Sequence, residues 1–493
     1  MIKQLWQFIV AVACCSVISS TSAQETDLNL DFDSLFTETV QQQEEESSLW
    51  SDLRLSGYLK NETAYRLREP RSITKIRNIG YLNAQYPFGN RVDFNFTGWA
   101  YYDLAYDLFN YETIAARLER NSEEPLAFVE NLAQEKDSPV AQIRELYFDM
   151  AYDTLDLRIG KQYVIWGVLE GVRVVDEINP MDFRELILPD LIDYRISLWT
   201  VKLDYYANAG DVQLLWIPDL QFHEPAPPGS EWELLQEVPG TRKPESWTLE
   251  NSEFGIKFDT YLANTELSFS YFYTWDDFPV IFRTVKIGAS ANEGPVFFPS
   301  YTRISMYGAT AVRPVGEYIL KGELAYVEDK FFGRSNVADA NNDGFVDTNG
   351  EAQKDHIRWG MGVDFLAFGW DVAVGATQWI ILDYEPNLIQ DRVDTSYNLF
   401  VRREFPQYAL TVQGLWIFLQ QMNESYMKPK ATFQLSDRFQ IAVGLDLFDG
   451  EKSDFGLSTV TAQGQFNADV QRAQFLGNFH NNDRIFFEFK YSF

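Results

Sequence analysis

Cysteine is almost absent from this chain of 493 residues, and its two copies, Cys14 and Cys15, lie close to the N-terminus. Residues 1–23 have the pattern of a secretory signal peptide, with a positive charge, an apolar run and small residues before position 24. The apolar run is shorter than the ~20 residues that a membrane-spanning helix needs. We expect cleavage after Ala23, which would remove both cysteines and exclude disulfides and thiol chemistry. A retained helical anchor is the alternative.

Long apolar runs and basic residues are also scarce. After residue 23 no apolar run reaches the length of about 18 residues that indicates a membrane-spanning helix, although 46% of the chain is hydrophobic and 16% is aromatic. Apolar residues that alternate with polar ones favour a transmembrane β-barrel instead. Only 41 Lys and Arg accompany 72 Asp and Glu, giving a net charge of −31. This charge argues against a nucleic-acid partner and fits an acidic surface that keeps external loops soluble.

Histidine occurs only at positions 223, 356 and 480. None of the three belongs to a recognisable nucleophile–base pattern, and the sequence has neither a Gly-x-Ser-x-Gly nor a His-Glu-x-x-His motif. We therefore interpret them as surface histidines and expect neither enzymatic activity nor a required cofactor.

From residue 51 onward the chain consists of segments in which apolar and polar residues alternate, as they do in β-strands. We count about 18 such segments, with 16 as the alternative, and most are long enough to cross a bilayer when tilted. They are 53–67, 73–86, 91–107, 141–153, 156–164, 197–207, 211–217, 253–262, 266–275, 301–312, 317–327, 357–367, 370–381, 395–404, 408–418, 429–435, 439–447 and 485–493.

Short turns alternate with longer loops between these segments, which is typical of barrels with short periplasmic turns and long extracellular loops. The last segment, Ile485 to Phe493, has the aromatic alternation of a final outer-membrane strand. We predict an all-β, antiparallel transmembrane barrel over residues 51–493, in the outer membrane of a Gram-negative bacterium. Residues 24–50 would form an acidic periplasmic leader. The expected partners are outer-membrane lipids, lipopolysaccharide and the barrel-assembly machinery.

The alternation also predicts which charged side chains face the lumen. Glu145, Asp149 and Arg158 fall on one inward face of two neighbouring strands. Charges of both signs point inward, so no selectivity filter of a single sign is evident. Such a lumen suits either a water-filled channel or an interior filled by a folded-in loop, and both interpretations stay open.

The most distinctive segment extends from Arg158 to Glu185. Asn179 is a good N-cap and Pro180 suits a first helical position, so we predict a short helix that ends near Leu188. Because charged residues are dense, we expect loop 165–196 to pack against the lumen, either as a structural latch or as a cargo gate. The residues that we assign to it are Trp166, Arg173, Asp176, Asn179, Asp182, Arg184 and Glu185.

Residues 141–200, with this segment at their centre, resemble a large family of Gram-negative outer-membrane proteins of unassigned function. Members of that family are barrels distantly similar to the alginate-export channels. The resemblance implies an outer-membrane conduit for a small or lipid-like cargo, working with an RND-type (resistance-nodulation-division) exporter and a periplasmic carrier. The alternative is a surface-binding protein that uses the barrel as an anchor for its external loops.

An acidic loop provides a second candidate site. Asp339, Asn341, Asp343, Phe345 and Asp347 have the spacing of the first ligands in a calcium loop, and Gly344 would permit its sharp turn. The pattern departs at position 12, where Gly350 replaces the usual glutamate and Glu351 follows one residue late. We expect loop 339–351 to bind calcium weakly, and the alternative is a plain acidic turn.

Overall fold

The computed structural model describes most of the segment that the sequence assigns to the barrel. The residues that it describes are 52–109, 114, 140–169, 171–190, 192–226, 231–232, 240–284, 296–334, 350–450 and 475–493. The predicted signal peptide, the acidic leader and all five candidate calcium ligands lie outside this set.

Eighteen strands form one antiparallel sheet, which confirms the predicted count. Strands β10 and β11 form a separate ribbon inside a loop, which the alternation does not predict. The strands are β1 Arg54–Arg66, β2 Ile73–Phe88, β3 Val92–Asp103, β4 Val140–Ala151, β5 Leu155–Gln162, β6 Leu198–Ala207, β7 Gly210–Ile217, β8 Glu253–Leu262, β9 Thr265–Trp275, β10 Arg283–Thr284, β11 Val296–Phe297, β12 Arg303–Val315, β13 Tyr318–Gly333, β14 Glu351–Ala367, β15 Trp370–Ile381, β16 Val393–Phe405, β17 Leu410–Leu419, β18 Glu424–Gln434, β19 Phe439–Asp449 and β20 Arg484–Ser492.

The sheet closes on itself because β1 pairs with β2 on one side and with β20 on the other. Closure leaves the 18-stranded sheet without an edge strand, so every backbone ladder can be satisfied inside a bilayer. The described helices are short: α1 spans Ala105–Leu108, and 3₁₀ segments span Pro406–Tyr408 and Gly477–Asn482. In the described residues, no helix combines the length and apolarity needed to span a membrane.

The two faces of the wall follow the alternation. Leu59 on β1, Leu324 on β13 and Met361 on β14 point outward and are 50% or more exposed, as lipid-facing residues of a barrel are. Lys60 and Glu62 on β1 point inward and pair with each other at 2.6 Å. The outer face therefore suits lipid contact, and the inner face is polar.

The connections at the two ends of the barrel differ. Tight turns such as Phe368–Gly369 connect neighbouring strands at the periplasmic end. Both of these residues have positive φ angles, 53° and 78°, as a two-residue hairpin turn requires. The extracellular rim is uneven, because β5 and β7 contain eight residues each whereas β14 contains 17. The loop between β5 and β6, which enters the lumen, leaves the wall where the strands are shortest.

Some strand boundaries differ from the prediction. Strand β13 continues to Gly333 and β14 begins at Glu351, and the register between the two strands shifts between Val327 and Lys330. Strand β3 ends at Asp103, whose carboxylate accepts the backbone N–H of Ala105 at 3.0 Å as α1 begins. This local hydrogen bond favours the start of α1, so residues 104–107, which were predicted to extend the strand, lie outside β3.

Candidate functional site

The segment between β5 and β6, residues 163–197, folds into the barrel, and we call it the lumen loop. It contains the predicted gate or latch, 165–196. Its central residues Val174 and Ile178 are 0% and 2% exposed. A loop buried at this level inside a barrel narrows the lumen, so its attachments define the candidate site.

The predicted helix from Pro180 to Leu188 is wrong. Residues 184–187 form a turn, and Met181 pairs with Arg195 in an antiparallel bridge. Asn179 does not cap a helix. Its side chain accepts the N–H of Val164 at 2.8 Å and donates to the carbonyl of Ile196 at 2.8 Å. It thereby ties together the start and the end of the lumen loop, and these long-range bonds override the local helix signal.

Arg173 and Asp176 also stabilise the lumen loop from within. The Arg173 guanidinium donates to the carbonyl oxygens of Asp176 and Asn179 at 2.8 and 3.1 Å. The Asp176 carboxylate forms a buried ion pair with Arg195. These contacts fix the backbone of the loop independently of the barrel wall.

One side of the lumen loop is apolar and packs against the wall formed by β6, β7, β9, β12 and β13. Trp166 lies at its centre, with its ring centroid 5.9 Å from that of Phe272 and its Nε1 donating to Gln213 at 2.7 Å. The cluster comprises Val164, Trp166, Leu169, Val174, Val175, Ile178, Leu198, Leu215, Ile217, Phe272, Ile304, Met306, Ala325 and Val327. This part of the lumen is therefore filled with hydrocarbon and not with water.

Glycines on the inner wall make room for this apolar side. A Cβ at Gly255 would lie 2.8 Å from the Trp166 ring, and one at Gly308 would lie 2.6 Å from Val175. Gly360 and Gly362 on β14 lie against Leu169 in the same way. The loop approaches the wall more closely than side chains there would permit.

Two carboxylates anchor the same side of the lumen loop. Glu323 on β13 accepts the backbone N–H groups of Val168, Leu169 and Val175, the last two at 2.7 and 3.0 Å. Glu177 in the loop pairs with Arg358 on β14 at 2.8 Å. Burial alone would raise the pKa of Glu177, but the charges led by Arg358 lower it to about 2.

The opposite side of the lumen loop is polar and faces β1 to β4 and β18 to β20. Glu185 accepts Lys75 and Arg77 of β2 at 2.8 and 2.7 Å. Burial alone would raise the pKa of Glu185, but the charges of Arg77 and Lys75 lower it to about 2. Arg144 on β4 donates to the carbonyl oxygen of Asp193 at 2.8 Å, and Lys428 on β18 donates to that of Leu188. Ion pairs and charge-assisted hydrogen bonds thus attach this side to the wall.

A cavity of about 80 Å³, open to solvent, lies between this polar side and the wall. Its charged lining is Lys60, Lys75, Arg77, Arg184, Lys428 and Arg484 together with Glu62, Asp182, Glu185, Asp190, Asp193, Asp446 and Glu488. Aromatic side chains of Tyr58, Trp99, Tyr101, Tyr194 and Phe486 also line it, together with Thr63, Ala64, Ile79, Leu188 and Pro189. We call it the charged cavity.

The predicted site residues occupy different parts of this arrangement. Asp182, Arg184 and Glu185 line the charged cavity, and Asp182 and Arg184 pair with each other. Glu145, Asp149 and Arg158 lie away from the charged cavity, on the wall formed by β4 and β5. Arg158 pairs there with Asp149, and Glu145 accepts the Thr97 hydroxyl at 3.5 Å.

Two histidines contradict the interpretation of all three as surface residues. His356 is 1% exposed, and its Nε2 accepts Arg358 Nε at 2.8 Å. The Nδ1 of His223, in loop 218–252, accepts the N–H of Met181 at 2.9 Å, and burial lowers the pKa of this imidazole to about 3. His223 therefore serves as a neutral link between two inward-folded loops.

Lys75, Arg77 and the inner-wall glycines were not singled out from the sequence. The alternation on β2 indicates that Lys75 and Arg77 face the lumen, but it does not identify a partner 110 residues away in the chain. No group of three or more potential metal-binding side chains occurs within the described ranges. The candidate calcium ligands lie beyond those ranges, so the calcium prediction stays a prediction.

The closed barrel, its apolar outer face and its inward-folded loop define a porin-like outer-membrane protein of the Gram-negative type. The model of a family described as a protein of unknown function, DUF1302, matches residues 74–493. The chain belongs to this family. No curated protein matches it in sequence.

Three solved structures illustrate how far the similarity in fold extends. OccAB2 of Acinetobacter baumannii is 11% identical, with 91% of this chain and 99% of that chain covered and a TM-score of 0.48. OpdK of Pseudomonas aeruginosa, solved with vanillate, is 8% identical, with 90% and 100% covered and a TM-score of 0.48. OmpT of Vibrio cholerae, an outer-membrane protein in a trimer form, is 10% identical, with 90% and 99% covered and a TM-score of 0.37.

Proposed function

We propose that the protein is an outer-membrane channel in which the lumen loop is the gate and the charged cavity is part of the solute path. The observation that carries this proposal is the two-sided attachment of the loop. Its apolar side packs against one arc of the wall, whereas ion pairs and hydrogen bonds to charged side chains hold its polar side across the cavity. The polar side borders the charged cavity, where water or a charged solute can replace the ionic partners of the loop, so the polar side is the side that opens.

The lining of the charged cavity favours a small polar solute over a lipid-like cargo. A lipid chain would require a continuous apolar surface, but six basic and seven acidic side chains line this cavity. An RND-type exporter and a periplasmic carrier remain proposed partners, on the basis of the family resemblance alone. Co-purification of either one with the protein would support the exporter role.

Single-channel conductance of the refolded protein in a planar bilayer tests the gate. We would compare the wild type with a variant lacking residues 165–196 and with Glu185→Gln, which keeps the loop but weakens its contacts with Lys75 and Arg77. We expect a small or closed conductance in the wild type and larger, more frequent openings in both variants. Glu245→Gln is the matched control, because it removes one exposed carboxylate from another loop.

Silence in all four folded proteins would contradict the channel and favour the barrel as an anchor for surface-binding loops. A large, steady conductance that is the same in all four would indicate an open pore and would contradict gating by the lumen loop.

A further inference from the structure

The charged cavity has two sides of opposite net charge. Five basic and three acidic side chains line it on the side of the barrel wall, whereas four acidic side chains and one basic side chain line it on the side of the lumen loop. This arrangement places an electric field across the cavity. A solute with one charge is attracted to one side and repelled by the other, whereas a solute with both charges is attracted to both sides.

Two carboxylates of the lumen loop form the acidic pole of this field. The Asp190 side chain is 63% exposed, and its carboxylate lies 3.9 Å from Lys428. The Asp193 side chain is 35% exposed, and its carboxylate lies 3.9 Å from Arg144. Both distances are longer than a direct hydrogen bond, so the two carboxylates keep acceptor oxygens for a solute.

The acidic pole interacts with the wall across the cavity. Partial burial raises the pKa of Asp193, and the positive charges of Arg144 and Lys60 oppose this rise. Lys60 belongs to the wall of the cavity, and it forms ion pairs with Glu62 and Glu488 but none with Asp193. Opposite charges therefore face each other across the cavity without closing it.

Two lysines of the wall form the basic pole. Lys60 on β1 lines the cavity, and Lys490 on β20 is its register partner. Lys490 forms neither an ion pair nor a hydrogen bond with any residue that the structure describes. Its ammonium lies 4.3 Å from the ring centroid of Tyr58, which also lines the cavity. The three N–H donors of this ammonium are thus available to a carboxylate.

The size of the cavity limits the solute. One water molecule needs about 10–15 Å³ on the same measure of volume, so about 80 Å³ holds about five to eight water molecules. A solute with a similar number of non-hydrogen atoms therefore fits, and glycine, alanine and proline have such a size. The rings of Tyr58 and Trp99 offer apolar contact to the hydrocarbon part of such a solute.

We propose that the charged cavity is a binding site for small zwitterions of the α-amino-acid class. The carboxylate of the solute binds to Lys60 and Lys490 on the wall, and its ammonium binds to Asp190 and Asp193 on the lumen loop. The role of this site in transport rests on the proposed channel function, whereas the binding itself requires no conduction.

Isothermal titration of the folded barrel in detergent micelles tests this site. The probe is L-alanine, and its matched controls are propionate, which lacks the ammonium, and ethylammonium, which lacks the carboxylate. We expect the wild type to bind L-alanine about tenfold or more tightly than either control, because each control is repelled by one pole. Equal binding of the three compounds, or no saturable binding of L-alanine, would overturn the proposal.

Variants at the two poles should change the preference between the controls in opposite directions. Asp190→Asn combined with Asp193→Asn should weaken L-alanine about tenfold or more and should make propionate a better ligand than ethylammonium. Lys490→Met should also weaken L-alanine, but it should make ethylammonium the better ligand. The loop keeps its attachment at Asp193, because Arg144 binds the main-chain carbonyl there.

The opposite preferences separate this site from a general loss of structure, which would weaken all three compounds alike. Asp437→Asn is the matched control, because it removes an exposed carboxylate from a periplasmic turn and should leave the three affinities unchanged. The same preference in both pole variants, or undiminished binding of L-alanine in either, contradicts the site. If the double variant does not fold, Asp193→Asn alone carries the same comparison.

The two proposals fail separately. A barrel that binds L-alanine with this pattern but never conducts would retain the zwitterion site and contradict the channel. Gated conductance without this pattern of binding would retain the channel and contradict the site.

Discussion

Replacing Glu323 with glutamine tests how the lumen loop is held. Its carboxylate is 5% exposed and accepts three backbone N–H groups of the loop. A hydrogen bond to a charged group contributes about 1.5–3 kcal/mol, and a buried donor left without an acceptor costs about 1–3 kcal/mol. Glutamine keeps the volume and one acceptor oxygen, but its NH₂ group faces at least one loop N–H.

The loss of one such bond with one N–H left unsatisfied amounts to about 3 kcal/mol, near the lower end of these ranges. This corresponds to an increase of about 100-fold in the population of undocked loop. Single-channel recording should show this increase as more frequent openings of Glu323→Gln. Hydrogen exchange provides a second measurement, because the amides of Leu169 and Val175 should lose protection while those of the barrel strands keep it.

The matched control is Glu328→Gln, which removes the same charge from the same strand. Glu328 has the opposite parity and pairs in register with Ser305, so it does not face the lumen loop. If Glu323→Gln and Glu328→Gln open equally often, and the amides of Leu169 and Val175 exchange equally slowly, the Glu323 carboxylate does not hold the loop.

Three further predictions concern pH, packing and calcium. Because the folded pKa of Glu185, about 2, is below its ordinary value of 4.5, its stabilisation of the docked loop is complete above about pH 4.5 and is lost as the pH falls toward 2. The frequency of channel openings should therefore increase in the wild type as the pH falls from about 4.5 toward 2, and it should not increase in Glu185→Gln. An increase in wild-type openings already between pH 7 and 5 would contradict this prediction. Gly360→Leu should displace Leu169 from the wall and increase the conductance. Gly322→Leu is the control, because Gly322 lies on the lipid-facing side of β13, and it should leave the conductance unchanged. Equal conductance in the two variants would contradict close packing of the loop against Gly360. Calcium titration should give a heat signal for the wild type that Asp343→Ala loses, and identical signals would end the calcium prediction.

The sequence predicts the barrel well because the alternation of apolar and polar residues along a strand is a local pattern. Alternate residues face lipid, so strands such as 370–381 can be assigned from hydrophobicity alone, and the structure has β15 at the same residues. The rule fails where the chain leaves the bilayer, as in β13 and β14, because polar residues on both faces remove the alternation. Strand ends above the membrane are therefore longer than the sequence predicts.

The lumen loop is harder to predict because its contacts are remote in the chain. The contact between Glu185 and Lys75 spans 110 residues, and that between Glu323 and Val168 spans 155. At Asn179 the local signal was strong and misleading, since an asparagine before a proline favours a helix start. The structure uses the same side chain to join the two ends of the loop, which a local capping rule does not consider.

The two sides of the lumen loop differ in what it takes to release them. Detaching the apolar side would expose Trp166 and its cluster to water, and fully burying one large apolar side chain contributes about 1.5–3 kcal/mol. Detaching the polar side exposes charges that water, salt ions or a charged solute can solvate. Movement is therefore easiest at the edge that carries Glu185, which faces the cavity. Under the proposed function, a charged solute that reaches Lys75 and Arg77 would compete directly with Glu185, so the contacts of the proposed gate would also respond to what enters the cavity.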